Sequence, residues 1–507
     1  MRSVWETPGV VANLADLVAD AAAARPGHPA LVVGDRTQSW SQVEAAVDVA
    51  AAGFQGLGLR PGDRVALALT NSPEFVAAYF GALRAGLVAV PVNTGSTQPE
   101  VEFVLTDSGA SAVVFDRAAA ASVRAAVSNS VRPIRVVVGA PAPGEVAFGS
   151  FTGGARVHTT DPESLALLIY TSGTSGRPKG AMLTHRALRA SVEQVHDLPN
   201  PPVTANDVVL LVLPLFHIYA LNGTLAAVAR AAATLVLVER FDPTQTLEVV
   251  RRHRVTNIPG APPMFVAWST EPGLREAFET VRLLMTGAAP MPASVLEQIS
   301  TATGLPVFEG YGLTEAAPGV SSTLVGGRAK PGSVGRALPG VELRLVDDDG
   351  ELAEEGDPGE ICIRGANLFS GYWPDASGGP DADGWYATGD VAYEDDDGDL
   401  VLVDRLKELI IVSGFNVYPR EVEDVLVGHP SVAEAAVVGV PHPYTGEAVK
   451  AYVVPRAGAT VSAAELSEYV GTRLARFKWP TIVQVVDLLP HSATGKVAKG
   501  RLRESEQ

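Results

Sequence analysis

The chain has 507 residues, 47% of them apolar and 19% charged. That apolar content supplies a core and excludes a disordered or fibrous chain, and the length suits about three packed units or one large domain with an appendage. Lys+Arg 39 against Asp+Glu 57 leaves a net charge of −18, which argues against a general nucleic-acid binder or a binder of anionic membrane.

In chain order, Val10 to Ala24 carries Asp16 and Asp20 and reads as an amphipathic helix rather than a signal peptide. Ser41-Gln42-Val43-Glu44 fits a capping box, and Val43, Ala46, Val47, Ala50, Phe54 and Leu57 recur at helical spacing. Pro61-Gly62-Asp63 turns the chain into a strand over Arg64 to Leu69. Ser72-Pro73 predicts an N-cap with proline at the first helical position, and that helix ends near Gly86. Leu87 to Val92 is the next strand. Strand, helix, strand with short connections predicts right-handed crossovers and a parallel sheet covered on both faces.

Further buried strands are predicted at Leu165 to Tyr170, Val208 to Leu213, Ala233 to Val238, Val281 to Met285 and Pro306 to Glu309. After Gly332 the runs Val341 to Leu345 and Gly359 to Arg364 alternate, which predicts a small antiparallel sheet or barrel. Glu394 to Asp399 is acidic but lacks the ligand spacing of an EF-hand, so it reads as a solvated hairpin turn. Beyond a boundary near Asp404 the pattern predicts a separate α+β unit. Its strands lie at Val437 to Val440 and Ala448 to Val454, and its Ser462-capped helix runs to about Phe477. The longest apolar stretches fall far short of the ~20 residues of a membrane span. The single Cys362 leaves no disulfide framework or cysteine-rich zinc site, and the reducing cytosol is the expected home.

The strongest local signal is Tyr170-Thr171-Ser172-Gly173-Thr174-Ser175-Gly176-Arg177-Pro178-Lys179-Gly180, directly after a buried strand. Glycines allow close backbone approach, hydroxyls donate hydrogen bonds and Lys179 adds charge, which together suit a polyphosphate. Pro178 stands where a Walker A loop needs glycine. A flexible Ser/Gly linker is the competing reading. Tyr311 is an aromatic between two glycines, suited to stack a purine or to fill a core. Glu315 suits Mg²⁺ or a solvated helix start. Asp390 suits ribose hydroxyls or a structural turn. Lys496 stands among Lys499, Arg501 and Arg503, which by composition form a basic surface tail. His217, at the end of an apolar strand, has the plain alternative of a core histidine.

Taken together, the segment at 170–180, Phe308 to Glu315, Trp385 to Asp390, Asp404 to Ile410 and Pro490 to Val497 resemble five signatures of the adenylate-forming superfamily. That superfamily includes acyl-CoA synthetases, carrier-loading adenylation domains and luciferases. The resemblance covers almost the whole chain, in order and spacing. It implies an α/β fold: a large domain (1–404) of two parallel α/β layers with a small β-barrel, and a mobile α+β C-terminal domain (405–507). It implies ATP, Mg²⁺ and coenzyme A as co-substrates and a small carboxylic acid as the group activated.

Residue by residue, the resemblance places ATP or AMP on Thr171, Ser172, Gly173, Thr174, Ser175, Gly176 and Lys179. Gly287, Ala288 and Ala289 would form the adenine wall. Glu309, Gly310, Tyr311, Gly312 and Thr314 form the second signature, and Asp390 and Arg405 would hold the ribose. It gives Glu315 and Thr171 to the metal and His217, Tyr219 and Gly310 to the acid. Gly414 would line the pantetheine path, Lys407 would be the hinge pivot, and Lys496 would bridge carboxylate and α-phosphate during adenylation. The apolar segment His217 to Leu221 favours an apolar fatty or aryl acid. Ile411-Val412-Ser413 departs from luciferases and plant coumarate ligases, which carry lysines there. A carrier-protein loader, a nitrite-activating diazotase and a catalytically dead nucleotide sensor are alternatives, and a homodimer is compatible with the sequence.

Overall fold

The computed structural model describes residues 13–127, 133–154, 161–171, 178–289, 291–347, 349–405, 408–412, 415–442, 445–491 and 497–504. The chain packs as two units. The first holds residues up to 331 with 337–342 and 364–386; the second holds 332–336, 343–363 and 387–507. Residues 343–363 and 387–404 therefore group with the C-terminal segment.

In the first unit, one large sheet runs in the order Gly319–Ser322, Val307–Gly312, Leu283–Thr286, Asn257–Gly260, Val208–Leu211, Thr234–Leu237, Pro29–Val33 and Arg36–Ser39. A seven-stranded sheet runs Val146–Ala147, Ile134–Val137, Ala112–Phe115, Arg64–Ala68, Val88–Pro91, Leu165–Thr171 and Lys179–Thr184. The neighbouring strands at the centre of each are parallel. Antiparallel pairs close the edges: Pro29–Val33 with Arg36–Ser39, Val307–Gly312 with Gly319–Ser322, and Leu165–Thr171 with Lys179–Thr184.

Alternation decides what each strand face buries. Val65 and Leu67 enter one continuous core with Val209, Leu211 and Leu235 of the other sheet and with helices Trp40–Gly56, Pro73–Arg84 and His185–His196. Ala66 and Ala68 face an outer core with Val113, Phe115 and Leu168. On the far face of the large sheet, Leu210, Val236 and Ile258 pack with Phe265 and Trp268. Both sheets are thus covered on both faces, which explains strands that are apolar throughout.

The helix starting at Trp40 corrects the expected cap. Ser39 is the N-cap and its capping box closes on Gln42, not Ser41 on Glu44. Glu44 instead pairs with the buried Arg84 at 2.8 Å. Ser72 caps Pro73–Arg84 as expected, accepting the Phe75 amide at 3.2 Å.

The second unit contains a four-stranded sheet in the order Val341–Val346, Gly359–Gly365, Tyr386–Glu394 and Leu400–Arg405. The acidic stretch is the turn between the last two strands. Asp395 accepts the amides of Asp397 and Asp399 at 3.0 and 3.1 Å, and Arg336 binds Asp399 at 2.8 Å. A five-stranded sheet follows, with Gly446–Pro455 between Val432–His442 on one side and Ile410–Val412 and Ile482–Val485 on the other. The helix capped by Ser462 stops at Gly471, not near Phe477. A side chain at Gly471 would stand 3.0 Å from the Trp479 ring, so the chain turns there beneath the indole. No described helix is long and apolar enough to cross a membrane.

Candidate active site

Thr171 and Lys179 are cross-strand partners in the antiparallel pair that flanks the Ser/Gly segment, and the Thr171 hydroxyl donates to the Lys179 carbonyl at 3.5 Å. The chain therefore enters and leaves the segment at the same end of the sheet, followed by a strand instead of the helix of a Walker loop. Ser172, Gly173, Thr174, Ser175 and Gly176 lie outside the described residues, as do Lys407, Gly414 and Lys496.

Glu315 lies in a short 3₁₀ turn, Thr314–Ala316, just after the strand Val307–Gly312. It is 9% exposed, and its Oε1 accepts the Tyr372 hydroxyl at 2.6 Å. Asn367 fastens the turn by donating to the carbonyls of Ala316 at 2.8 Å and Gly319 at 3.0 Å. The Lys179 ammonium stands 5.2 Å from the centre of the Tyr372 ring. One tyrosine thus joins Lys179 to Glu315. Sequence reasoning did not single it out: backbone pairing of the segment 370–373 with Gly180, Ala181 and Met182 brings it beside Glu315 and Lys179.

Gly312 shows why the second signature needs glycine. A side chain there would stand 2.2 Å from the Pro318 carbonyl oxygen, which accepts the Leu313 amide at 3.0 Å. Tyr311 pairs with Ser321 in the adjoining strand. Glu309 is 7% exposed, and its backbone exchanges hydrogen bonds with Thr323.

His217, Tyr219, Gly287 and Gly310 come together. His217 Nδ1 accepts the Tyr219 amide at 3.3 Å, which leaves the proton of the neutral ring on Nε2. Tyr219 opens a π-helical segment to Ala226, a geometry frequent at functional sites. A side chain built at Gly287 would reach the Gly310 carbonyl at 3.5 Å and the Tyr219 ring at 3.6 Å. Next to it Ala288 holds φ at +70°, a left-handed conformation costing a non-glycine residue ~1–2 kcal/mol. Strain of this kind gathers at ligand-binding segments.

In the second unit, Thr388-Gly389-Asp390 is not a turn but part of the strand Tyr386–Glu394, with Gly389 at φ +76°. The Gly389 amide donates to Glu360 at 2.8 Å and the Thr388 hydroxyl to the Ile361 carbonyl at 2.9 Å. Asp390 is buried and directly opposite Arg405 in the strand register. Of the expected basic surface tail, Arg501 is exposed, but Lys499 is not. Lys499 is 13% exposed and bonds Glu423 at 2.8 Å and Glu408 at 3.0 Å. A bridge between His491 and Val497 ties the two ends of the segment that contains Lys496.

The donors at Glu315 fit Mg²⁺, which takes hard oxygens from one or two carboxylates plus substrate phosphates. Glu315 offers one carboxylate and Thr171 one hydroxyl. The only described cluster of three acidic groups is Asp395, Asp397 and Asp399, in the hairpin turn of the other unit. A cation at Glu315 would thus need the phosphates to complete its shell.

The model of the AMP-binding enzyme family matches residues 18–373, and that of the AMP-binding enzyme C-terminal domain matches 421–496. This chain belongs to the AMP-binding enzyme family. Family relatives span it nearly end to end. A long-chain-fatty-acid–CoA ligase of Bacillus subtilis (strain 168) is 32% identical over 97% of this chain and 94% of its own. A feruloyl-CoA synthase of an Amycolatopsis species is 38% identical over 94% and 96%. The crystal structure of ATP-bound MatB from Rhodopseudomonas palustris superposes with a TM-score of 0.90 at 32% identity, covering 97% of this chain and 98% of that one.

Proposed function

We propose that this protein is an ATP-dependent acid–CoA ligase. The observation that carries the reading is the buried Glu315 joined through Tyr372 to Lys179 beside the Ser/Gly segment, in a chain whose relatives are named as CoA ligases. In the first half-reaction a carboxylate oxygen attacks the α-phosphorus, and the bond to pyrophosphate breaks. In the second the thiol of coenzyme A attacks the acyl carbon, AMP leaves, and the thiol proton passes to solvent.

Each residue has a part. Lys179 and the Ser/Gly segment hold the phosphates, and Glu315 with Thr171 holds Mg²⁺, which neutralises phosphate charge when bound. Asp390 and Arg405 bind the ribose, and the Gly287-Ala288-Ala289 wall receives the adenine. His217, with its proton on Nε2, orients the carboxylate beside Tyr219 and Gly310. Lys496 places positive charge between the two reacting anions.

The second half-reaction needs a different arrangement of the C-terminal segment, with Lys407 as pivot and Gly414 on the thiol's path. The Lys499–Glu408 pair supports this division, since it ties the residue next to Lys407 to the helix that follows Lys496. The domain boundary is placed at 404, just before this hinge. The acid is an apolar monocarboxylate, fatty or aryl. Ile218, Ala220 and Leu221 around His217 are apolar and buried, and the named relatives act on a long-chain fatty acid and on ferulate. A chain with a single cysteine, the buried Cys362, fits a reducing compartment, the cytoplasm.

The test is pyrophosphate release and thioester formation over a panel of fatty, aryl and dicarboxylic acids. Apolar acids should give both products. Pyrophosphate without thioester would point to another acceptor, and the absence of both would remove the ligase reading.

A further inference from the structure

Tyr372 is engaged from two sides. Its hydroxyl donates to Glu315 Oε1, and its ring lies beneath the Lys179 ammonium. Its own backbone is fixed: the Tyr372 amide donates to Ser377 at 2.9 Å, and the Trp373 amide to Gly180 at 2.8 Å. Phe369 packs edge-on against the ring at 5.1 Å, while the Phe369 amide donates to the Glu315 carbonyl at 2.8 Å. Swinging the ring away would break the bond to Glu315 and the packing on Phe369, while the backbone pairing holds the base of the side chain in place.

A carboxylate has two oxygens. With Oε1 occupied by the phenol, the direction in which Oε2 points is set. The same ring offers its negative face to a cation, so it supports the lysine without competing for its donors.

We propose that Tyr372 is a positioning residue, holding the Glu315 carboxylate and the Lys179 ammonium in a preset relation that metal-bound ATP meets on binding. This rests on the ligase reading and adds to it a residue that none of the five signatures contains. The hydroxyl serves the metal side and the ring serves the phosphate side, so two substitutions separate them. Tyr372→Phe removes the hydroxyl and keeps the ring; Tyr372→Leu removes both.

The full-length protein is titrated by calorimetry with ATP in the presence of Mn²⁺, as a stand-in for Mg²⁺, and with ATP in EDTA. Melting temperatures are recorded in parallel. For Tyr372→Phe, Mn·ATP should bind about tenfold more weakly, the effect of one charge-assisted hydrogen bond, while metal-free ATP binds as in the wild type. For Tyr372→Leu both forms should weaken. A Phe variant with wild-type Mn·ATP affinity would overturn the proposal. So would a Phe variant weakened equally with and without metal, or one whose melting temperature falls in step with its affinity. If the wild type releases no pyrophosphate with any acid, the ligase reading fails, and the binding comparison still decides the role of Tyr372.

Discussion

Asp390 and Arg405 face each other across the antiparallel strands Tyr386–Glu394 and Leu400–Arg405, fifteen positions apart in sequence and adjacent in register. The pairing places two residues suited to a ribose side by side. It also puts one of them two positions before Lys407. The proposed ribose residues and the proposed pivot are therefore close neighbours along the chain.

Asp390→Asn keeps the shape of the side chain and removes its charge. A hydrogen bond from a ribose hydroxyl to a charged acceptor is worth ~1.5–3 kcal/mol, so the KM for ATP should rise roughly tenfold or more. The KM for the acid should change little. Steady-state kinetics with each substrate varied in turn checks this, and an ATP KM equal to that of the wild type would remove Asp390 from the ribose.

Glu315→Gln leaves an amide oxygen that can still accept the Tyr372 hydroxyl, so the turn should hold and the melting temperature should stay close to wild type. Turnover should fall about a hundredfold, the loss of ~2.7 kcal/mol of charge stabilisation, and recover in part at raised Mg²⁺. Wild-type turnover at limiting Mg²⁺ would contradict the metal assignment.

Lys496→Ala should cripple adenylation by ~3–4 kcal/mol, a few hundredfold in rate. Acyl-AMP made chemically and supplied to the variant should still yield acyl-CoA at near wild-type rate, because the second step does not place Lys496 between two anions. Equal loss in both steps would show that the division of labour is wrong.

Stability should depend on pH through His185. It is 1% exposed, and its Nδ1 accepts the Leu14 amide at 3.1 Å. Burial, helped by Arg189, lowers its pKa from 6.5 to about 4. The unfolded chain takes up this proton before the folded one does. The contribution is thus complete above pH 6.5 and is lost as pH falls toward 4, on the order of 3 kcal/mol. Asp16 opposes it. Burial raises that carboxyl to about 6, so its protonation favours the folded state as pH falls through the same range. The two shifts are of similar size, so His185→Gln should leave the Asp16 effect unopposed and raise the unfolding free energy at pH 4.5 relative to that at pH 7, measured with denaturant. An unchanged slope would mean that His185 does not govern it.

The alternation of strands and helices was legible because buried parallel strands are apolar on both faces and stand out between Gly/Pro turns. The caps were legible only where a single residue competes for the position, as at Ser72. Ser39-x-x-Gln42 and Ser41-x-x-Glu44 both satisfy the capping pattern, and Glu44 is drawn off by Arg84, forty positions away, which no local pattern reveals. Thr388-Gly389-Asp390 has the composition of a turn, but Thr388 and Gly389 bond to Ile361 and Glu360 and Asp390 pairs with Arg405, which makes it strand. The same limit hid Tyr372, whose role comes from contacts with Ala181 and Glu315, far away in sequence. Lys499 looked like a solvated tail because its two acidic partners lie in elements that precede it by more than seventy positions.

In the proposed reaction one chain makes an acyl-adenylate from ATP and then passes the acyl group to a thiol. A single-turnover quench tests it most directly: enzyme, Mg·ATP and an apolar acid are mixed without coenzyme A, sampled, and then chased with it. Acyl-AMP and pyrophosphate should accumulate first, in equal amounts and no more than one per chain, and the chase should convert the adenylate to acyl-CoA and AMP. Release of ADP and phosphate, or thioester appearing with no adenylate before it, would contradict the account.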